Sequence, residues 1–206
     1  MTLCGLLPGP SAGSSSHQSG RLQRKVLVLG DGASGKTSLL FVLIRHNFPD
    51  HYEPTVFENY THLMHSSKAE VELTLWDTAG QEEFDKLRSL SYADTDVVLL
   101  CFDVANSVSL ENVESRWIPE IRQHTPQAPI VLIALKCDLR DSSSSEKTLG
   151  YSAGVEVAKR IKASRYLECS AKKNRGVEEA FAEVANIAVA SRAKRRRLGE
   201  GGCTIA

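Results

Sequence analysis

Four stretches of the chain are nearly all apolar and do not alternate with polar residues. They are KVLVLG at 25–30, VVLLCFDV at 97–104, IVLIALK at 130–136 and the shorter RYLEC at 165–169. Such short runs suit strands covered on both faces, as in a parallel sheet lying between helices. TVFENYTHLM at 55–64 and VELTLWD at 71–77 read as a further pair of strands. Between these runs the apolar positions recur at helical spacing: TSLLFVLIRH at 37–46, SLENVESRWIPEIRQH at 109–124, SAGVEVAKRIKA at 152–163 and GVEEAFAEVANIAVASRA at 176–193. Strands alternating with helices predict an α/β domain of three layers with a mostly parallel, six-stranded sheet. In such sheets ligands sit beyond the carboxyl ends of the strands. The loops after Leu29, Trp76, Leu135 and Glu168 should therefore open on one common edge.

Outside this pattern lie two segments of different character. Residues 1–23 are rich in Ser, Gly and Pro and predict a disordered extension. It has no basic start and carries Pro8 and Pro10, so it does not read as a secretory leader. The domain is expected over 24–191, with a basic tail over 192–206. No internal repeat is visible.

The 206 residues have a formal net charge of zero, unevenly distributed. From Ser191 onward five Lys or Arg face one acid, Glu200, leaving a mildly acidic body. The tail, not the body, should meet an anionic partner, and no nucleic-acid partner is expected. The five cysteines are odd in number and scattered without metal-ligand spacing, which favours a reducing compartment over a disulfide framework.

The loop after the first run reads GDGASGKTS at 30–38 and matches G-x-x-x-x-G-K-S/T between a strand and a helix. Gly30, Gly32 and Gly35 let backbone N–H groups of Asp31, Ala33 and Ser34 turn inward as a nest for phosphate oxygens. The helix starting near Lys36 adds its positive end, with Ser38 in its first turn. Lys36 brings a point charge to the terminal phosphates, and the Thr37 hydroxyl can ligate Mg²⁺. This loop alone indicates a nucleoside triphosphate without saying which.

Four further motifs follow in order: YEPTVFENY at 52–60, WDTAGQEEFDKLRSLSY at 76–92, LKCD at 135–138 and ECSAK at 168–172. With the phosphate loop they resemble the Rho branch of the Ras superfamily of small GTPases, over residues 25–206. ENVESRW, ALKCDLR, YLECSAKKNRGV and CTIA are most similar to the third class of fungal Rho proteins, which are linked to polarised growth and secretion. The resemblance implies a P-loop fold, bound GTP or GDP with Mg²⁺, and a switch that is active with GTP and inactive with GDP. Asp138, at the edge where a base would lie, can accept two hydrogen bonds from guanine, a pair that adenine does not offer. The resemblance places the Lys136 stem along the base and the Ala171 N–H on the guanine oxygen, with Ser170 and Lys172 supporting that loop. It makes Phe48 and Tyr52 an aromatic wall over the nucleotide. Asp77 would reach the metal through water, Thr55 would touch both metal and γ-phosphate, and Gly80 would bring its N–H to that phosphate. Gln81 would orient the attacking water, with Lys36 and Thr55 completing the catalytic set. Effectors would read Val56, Phe57, Glu58, Asn59 and Tyr60, and the expected partners also include an exchange factor and a dissociation inhibitor.

Three features depart from the family or qualify it. Leu135 stands where relatives have Asn or Thr, so the tie from base loop to phosphate loop should be missing and the nucleotide held more loosely. DSSSSEKTLGYSA at 141–153 is shorter than the usual Rho insert and reads as a flexible loop. The sole arginine between Lys36 and Thr55 is Arg45, too far along its helix to reach the phosphates. Slow intrinsic hydrolysis and an arginine donated by an activating protein are expected. Gly32 should tolerate no Cβ beside the γ-phosphate.

CTIA is a C-a-a-X box that predicts prenylation of Cys203 and removal of 204–206. The final Ala leans towards farnesyl, with geranylgeranyl left open. One lipid gives marginal attachment, and the basic run at 192–197 can supply the second signal. Cys4 is a candidate palmitoylation site. Together these predict the cytoplasmic face of the plasma membrane, with a cytosolic pool; nuclear targeting by KRRR ranks behind. Two rival classes stay open, a metabolic P-loop kinase and a GTP-binding module that never hydrolyses. The first would need a second substrate pocket and a basic lid, neither of which is visible; Gln81 argues against the second, while Leu135 keeps it open.

Overall fold

The computed structural model describes residues 21–51, 54–66, 69–141 and 148–200, for 194–200 as backbone only. Six strands, β1 (Leu22–Gly30), β2 (Phe57–His65), β3 (Glu70–Thr78), β4 (Val97–Asp103), β5 (Ile130–Leu135) and β6 (Arg165–Glu168), form one sheet. Their order is β2-β3-β1-β4-β5-β6, and every pair is parallel except β2 with β3. The helices are α1 (Lys36–Arg45), α2 (Asp85–Ser89), α3 (Ser107–Asn112), α4 (Ile118–His124), α5 (Tyr151–Arg160) and α6 (Val177–Glu200).

Alternation along β1 shows why both faces need cover. Val26 and Val28 pack with Leu39, Leu40 and Leu43 of α1 and with Phe181, Val184 and Ala188 of α6. Leu27 and Leu29 pack on the other face with Val113, Trp117 and Ile121, and with Val157 and Ala158 of α5. Each face is a continuous apolar layer, so truncating a fully buried side chain such as Phe181 to Ala should cost about 3–5 kcal/mol. Parallel pairing then aligns the strand ends. Val28 faces Asp77, Gly30 faces Cys101 and Ala134 faces Glu168, so the loops after β1, β3, β5 and β6 leave from one edge, as expected.

The 109–124 region is one rod with a change of pitch. Asn106 caps α3, its side chain accepting from the N–H groups of Val108 and Ser109. A π-helical segment, Val113–Trp117, then joins α3 to α4. Pro119 follows, with no N–H to donate to the turn below it and a ring that crowds the carbonyl four residues back, so the wider turn relieves the conflict.

Three boundaries differ from the sequence reading. β1 begins at Leu22, inside the segment expected to be disordered, because Arg21 and Gln23 bond Glu70 and Glu72 across the pair with β3. α6 runs on to Glu200, beyond the expected end at Ala193, because Arg and Lys are good helix formers. The basic run therefore lies largely on a helix, and Arg192 turns back to Asp96 at 3.6 Å. The Glu82–Phe84 turn and α2, inside a motif read only for its chemistry, were not anticipated. Positions 142–147 of the insert, Tyr52, Cys4, Cys203 and 204–206 lie outside the described residues.

Candidate functional site

The loop after β1 closes on itself. Lys36, only 6% exposed, donates from Nζ to the carbonyls of Gly30 at 2.8 Å and Asp31 at 2.7 Å. Burial lowers its pKa, opposed by the charge of Asp77. Gly30 has φ +139°, and a Cβ on it would lie 2.2 Å from the Cys101 carbonyl oxygen of β4, so no other residue fits. Gly32, Ala33, Gly35, Lys36, Thr37 and Ser38 line a cavity completed by Pro54, Thr55, Thr78, Ala79, Gly80 and Gln81. The two loops named by the sequence motifs thus face the phosphate loop across a single opening.

At one corner three oxygens converge. The Thr37 hydroxyl donates to Asp77 Oδ2 at 2.6 Å, and its oxygen lies 2.6 Å from the Thr55 hydroxyl. Asp77 is fully buried, and among the described residues its Oδ1 has no hydrogen-bond partner. Burial raises its pKa to about 6, against the pull of the Thr37 hydroxyl and the Lys36 charge. A buried carboxylate with an unpaired oxygen, beside two hydroxyls, is a hard-oxygen set that fits Mg²⁺.

Gly80 lies directly on the phosphate loop. A Cβ there would stand 2.3 Å from the Gly30 carbonyl oxygen and 2.4 Å from the Gly32 nitrogen. The expectation for Gly32 concerns the γ-phosphate; towards the protein itself, a Cβ there would meet only Gln81 Cγ, at 3.6 Å, which is ordinary contact. Protein packing does not forbid a side chain at Gly32, although that side chain would sit against Gln81.

A second cavity, of about 110 Å³, adjoins the first through Gly35 and Ser38. Phe48, Leu135, Lys136, Asp138, Leu139, Ala171 and Lys172 line the rest of it. Ser170, fully buried, donates to Asp138 Oδ1 and orients that carboxylate. The loops carrying Asp138 and Ala171 are pinned together. Arg140 grips Glu168 with two bonds of 2.6 and 2.9 Å, and the Cys137 N–H reaches the Cys169 carbonyl.

The absent tie at Leu135 is supplied differently. Lys136 Nζ donates to the Ala33 carbonyl at 2.9 Å and pairs with Asp103 at 2.6 Å. Leu135 itself packs on the phosphate loop, its Cδ1 3.6 Å from where a Gly35 Cβ would be. The sequence reading missed Asp103, the last residue of β4, and Leu139. It also missed a cluster under the Gln81 loop. There Arg88 donates to the carbonyls of Ala79 and Gln81 and grips Glu120, while Asp31 accepts from Asn112 and Trp117.

The expected effector stretch lies along the outer strand β2, which pairs only with β3. Val56, Glu58 and Asn59 are exposed; Phe57 is half-buried edge-on against Trp76, and the Tyr60 hydroxyl bonds Glu58.

Residues 25–190 match the family model described as the Ras family. The chain is 50% identical over 194 residues to the GTP-binding protein rho3 of Schizosaccharomyces pombe, covering 90% of this chain and 95% of that protein. It is 46% identical to GTP-binding protein RHO3 of Saccharomyces cerevisiae, over 86% of this chain and 89% of the relative. It is 54% identical to GTP-binding protein Rho3 of Schizophyllum commune, over 88% and 89% respectively.

Proposed function

The chain belongs to the Ras family and is a Rho-type small GTPase that hydrolyses GTP to GDP as a switch; we propose which of its residues carry out each part of that cycle. The observation that carries the reading is the pair of adjoining cavities. One is lined by Lys36, Thr37 and Thr55, the other by Asp138 and Ala171, and they share Gly35 and Ser38. The first takes phosphates and the second a base.

Asp138, oriented by Ser170, accepts from the two adjacent guanine N–H groups, and the Ala171 N–H meets the guanine oxygen. Phe48 and the Lys136 stem flank the ring. The phosphate-loop amides and Lys36 hold the phosphates. A magnesium ion, when held by Thr37, Thr55 and, through water, Asp77, supplies positive charge beside those phosphates. Gln81 orients the attacking water. The Arg88 guanidinium, which reaches the Gln81 carbonyl, is committed to carbonyls and carboxylates. We therefore assign the transition-state arginine to an activating protein. Thr55 and Gly80 contact the γ-phosphate only in the triphosphate state, so the segment around 55–60 is ordered for effectors by GTP and released by hydrolysis.

We further propose prenylation at Cys203 and attachment to an anionic cytoplasmic leaflet of the plasma membrane, with a cytosolic pool kept by a dissociation inhibitor. The motif CTIA and the basic run support this. We also propose roles in polarity, actin organisation and exocytosis, on the resemblance to the third class of fungal Rho proteins. The deciding experiment is binding of GTP against ATP with and without Mg²⁺, followed by single-turnover hydrolysis with and without a Rho-type activating protein. Equal affinity for the two nucleotides would end this reading. Retention of a Cys203→Ser variant on membranes would end the lipid part alone.

A further inference from the structure

We propose that Asn112 and Trp117 are positioning residues for the phosphate loop, and that Trp117 couples this loop to the segment carrying Gln81. The inference rests on the nucleotide-switch reading and goes beyond it, because neither residue lines the nucleotide cavities.

Both oxygens of the Asp31 carboxylate are taken by the rod that crosses beneath the site. Trp117 Nε1 donates to Oδ1 at 2.8 Å and Asn112 Nδ2 donates to Oδ2 at 2.7 Å. The backbone carbonyl of the same residue accepts from Lys36 Nζ and from the Ser34 N–H. Asp31 is thus fixed at its side chain by the rod and at its backbone by the loop it belongs to. Loop amides act as a phosphate nest only while their directions are held, so an anchored Asp31 keeps the nest formed before the nucleotide arrives.

The indole faces serve a second connection. Trp117 is fully buried, with the Arg88 guanidinium 4.9 Å from its ring centroid and that of Arg116 at 4.7 Å. Arg88, its side chain entirely enclosed, donates to the Ala79 carbonyl at 2.9 Å and to the Gln81 carbonyl at 3.4 Å. Glu120, one turn along from Trp117, holds Arg88 by two bonds of 2.8 and 3.0 Å and accepts from the Tyr92 hydroxyl. Arg116 bonds Asp85 of α2 at 3.2 Å. One side chain therefore touches the phosphate loop through its N–H and, through its ring, the Arg88 guanidinium that holds the Gln81 segment. The π segment makes this possible, because it sets Asn112 and Trp117 five positions apart yet on the same carboxylate.

The two contacts separate by mutation of the full chain loaded with fluorescent GDP and Mg²⁺. Trp117→Phe keeps a ring under Arg88 and loses the N–H, whereas Trp117→Leu loses both. GDP release should quicken about tenfold or more in Trp117→Phe and in Asn112→Ala, the equivalent of losing one hydrogen bond to a charged group. In an Asp31→Ala background the same changes should add less than about twofold, since their target is gone. Hydrolysis in a single turnover should fall about tenfold in Trp117→Leu and stay within about threefold of wild type in Trp117→Phe. Glu114→Gln, in the same π segment but paired with Arg160 at the surface, should leave both rates unchanged. Wild-type release from Asn112→Ala, or effects that multiply fully in the Asp31→Ala background, would overturn the anchoring. Equal hydrolysis by the two Trp117 variants would overturn the coupling. Failure of the wild-type chain to prefer guanosine nucleotides would instead bring down the parent reading and this inference with it. Should either Trp117 variant not fold, Asn112→Ala carries the first test and Arg88→Lys, which keeps charge but loses the two-bond grip, carries the second through the same tenfold fall.

Discussion

Lys136 Nζ donates to the Ala33 carbonyl at 2.9 Å, joining the base loop to the phosphate loop across 103 positions of sequence. Both partners are non-glycine residues in left-handed backbone, with φ of +60° and +58°. Each such residue costs about 1–3 kcal/mol, so the surrounding fold must hold them there. Removing the ammonium while keeping the stem, as in Lys136→Met, also frees Asp103. GDP release should accelerate by about tenfold or more, the equivalent of one charged hydrogen bond. Stopped-flow release of a fluorescent GDP analogue checks this.

Leu135→Asn should slow GDP release relative to wild type, since an amide can donate to the phosphate loop and leucine cannot. An equal or faster rate in the variant would mean that apolar contact with Gly35, together with the Lys136 bridge, already closes the two loops as well as an amide does.

Two glycines of the phosphate site should respond in opposite ways. Gly80→Ala forces a methyl within 2.4 Å of phosphate-loop backbone and should destabilise the protein by about 1–3 kcal/mol, visible as a lower melting temperature. Gly32→Ala, whose Cβ meets only Gln81 Cγ, should melt close to wild type while slowing hydrolysis. Thermal melts and phosphate release, measured on the same preparations, separate the two.

Gln81 is exposed, and among the described residues its side chain has no hydrogen bond that truncation would remove. Gln81→Leu should keep GTP affinity within about twofold and slow hydrolysis by about a hundredfold, leaving the protein loaded. Nucleotide content after incubation with GTP reads this out directly.

The Arg140–Glu168 pair gives the base site a dependence on acidity. Burial pushes the Glu168 carboxyl up, but bonds from Arg140 and Tyr166 outweigh it and hold the group below its ordinary value of 4.5. The pair's stabilisation is therefore fully present above that value and is lost as pH falls through the lower folded one. Acidification from about pH 5 to about pH 3.5 should cost wild type more stability than Glu168→Gln. Denaturant unfolding at the two pH values tests the difference.

The strands were legible because burial on both faces leaves almost no polar positions, as in VVLLCFDV and IVLIALK. The phosphate loop and the Asp138 and Ala171 loops were legible because their chemistry is written in consecutive residues. The start of β1 was hidden because Arg21 and Gln23 look like linker until Glu70 and Glu72 stand opposite them. The end of α6 was hidden because a basic run reads as charge before it reads as helix. The bonds of Asp31 to Asn112 and Trp117 span 81 and 86 positions, and no local pattern announces them. The substitute tie from Lys136 escaped for the same reason, since the missing Asn was judged at its own position and not by what its neighbour reaches.

The wide turn at Val113–Trp117 also bears on how this chain can change in length. Loops of the domain can gain or lose residues at modest cost. Inserting one more residue between Asn112 and Trp117, where the wide turn already takes up an extra one, would rotate everything after it by about 100° about the helix axis. The indole would swing away from Asp31, and Glu120 away from Arg88, although every side chain in the set remained encoded. For this rod the spacing is as much a part of the message as the letters, and single-residue insertions there should be far less tolerated than substitutions.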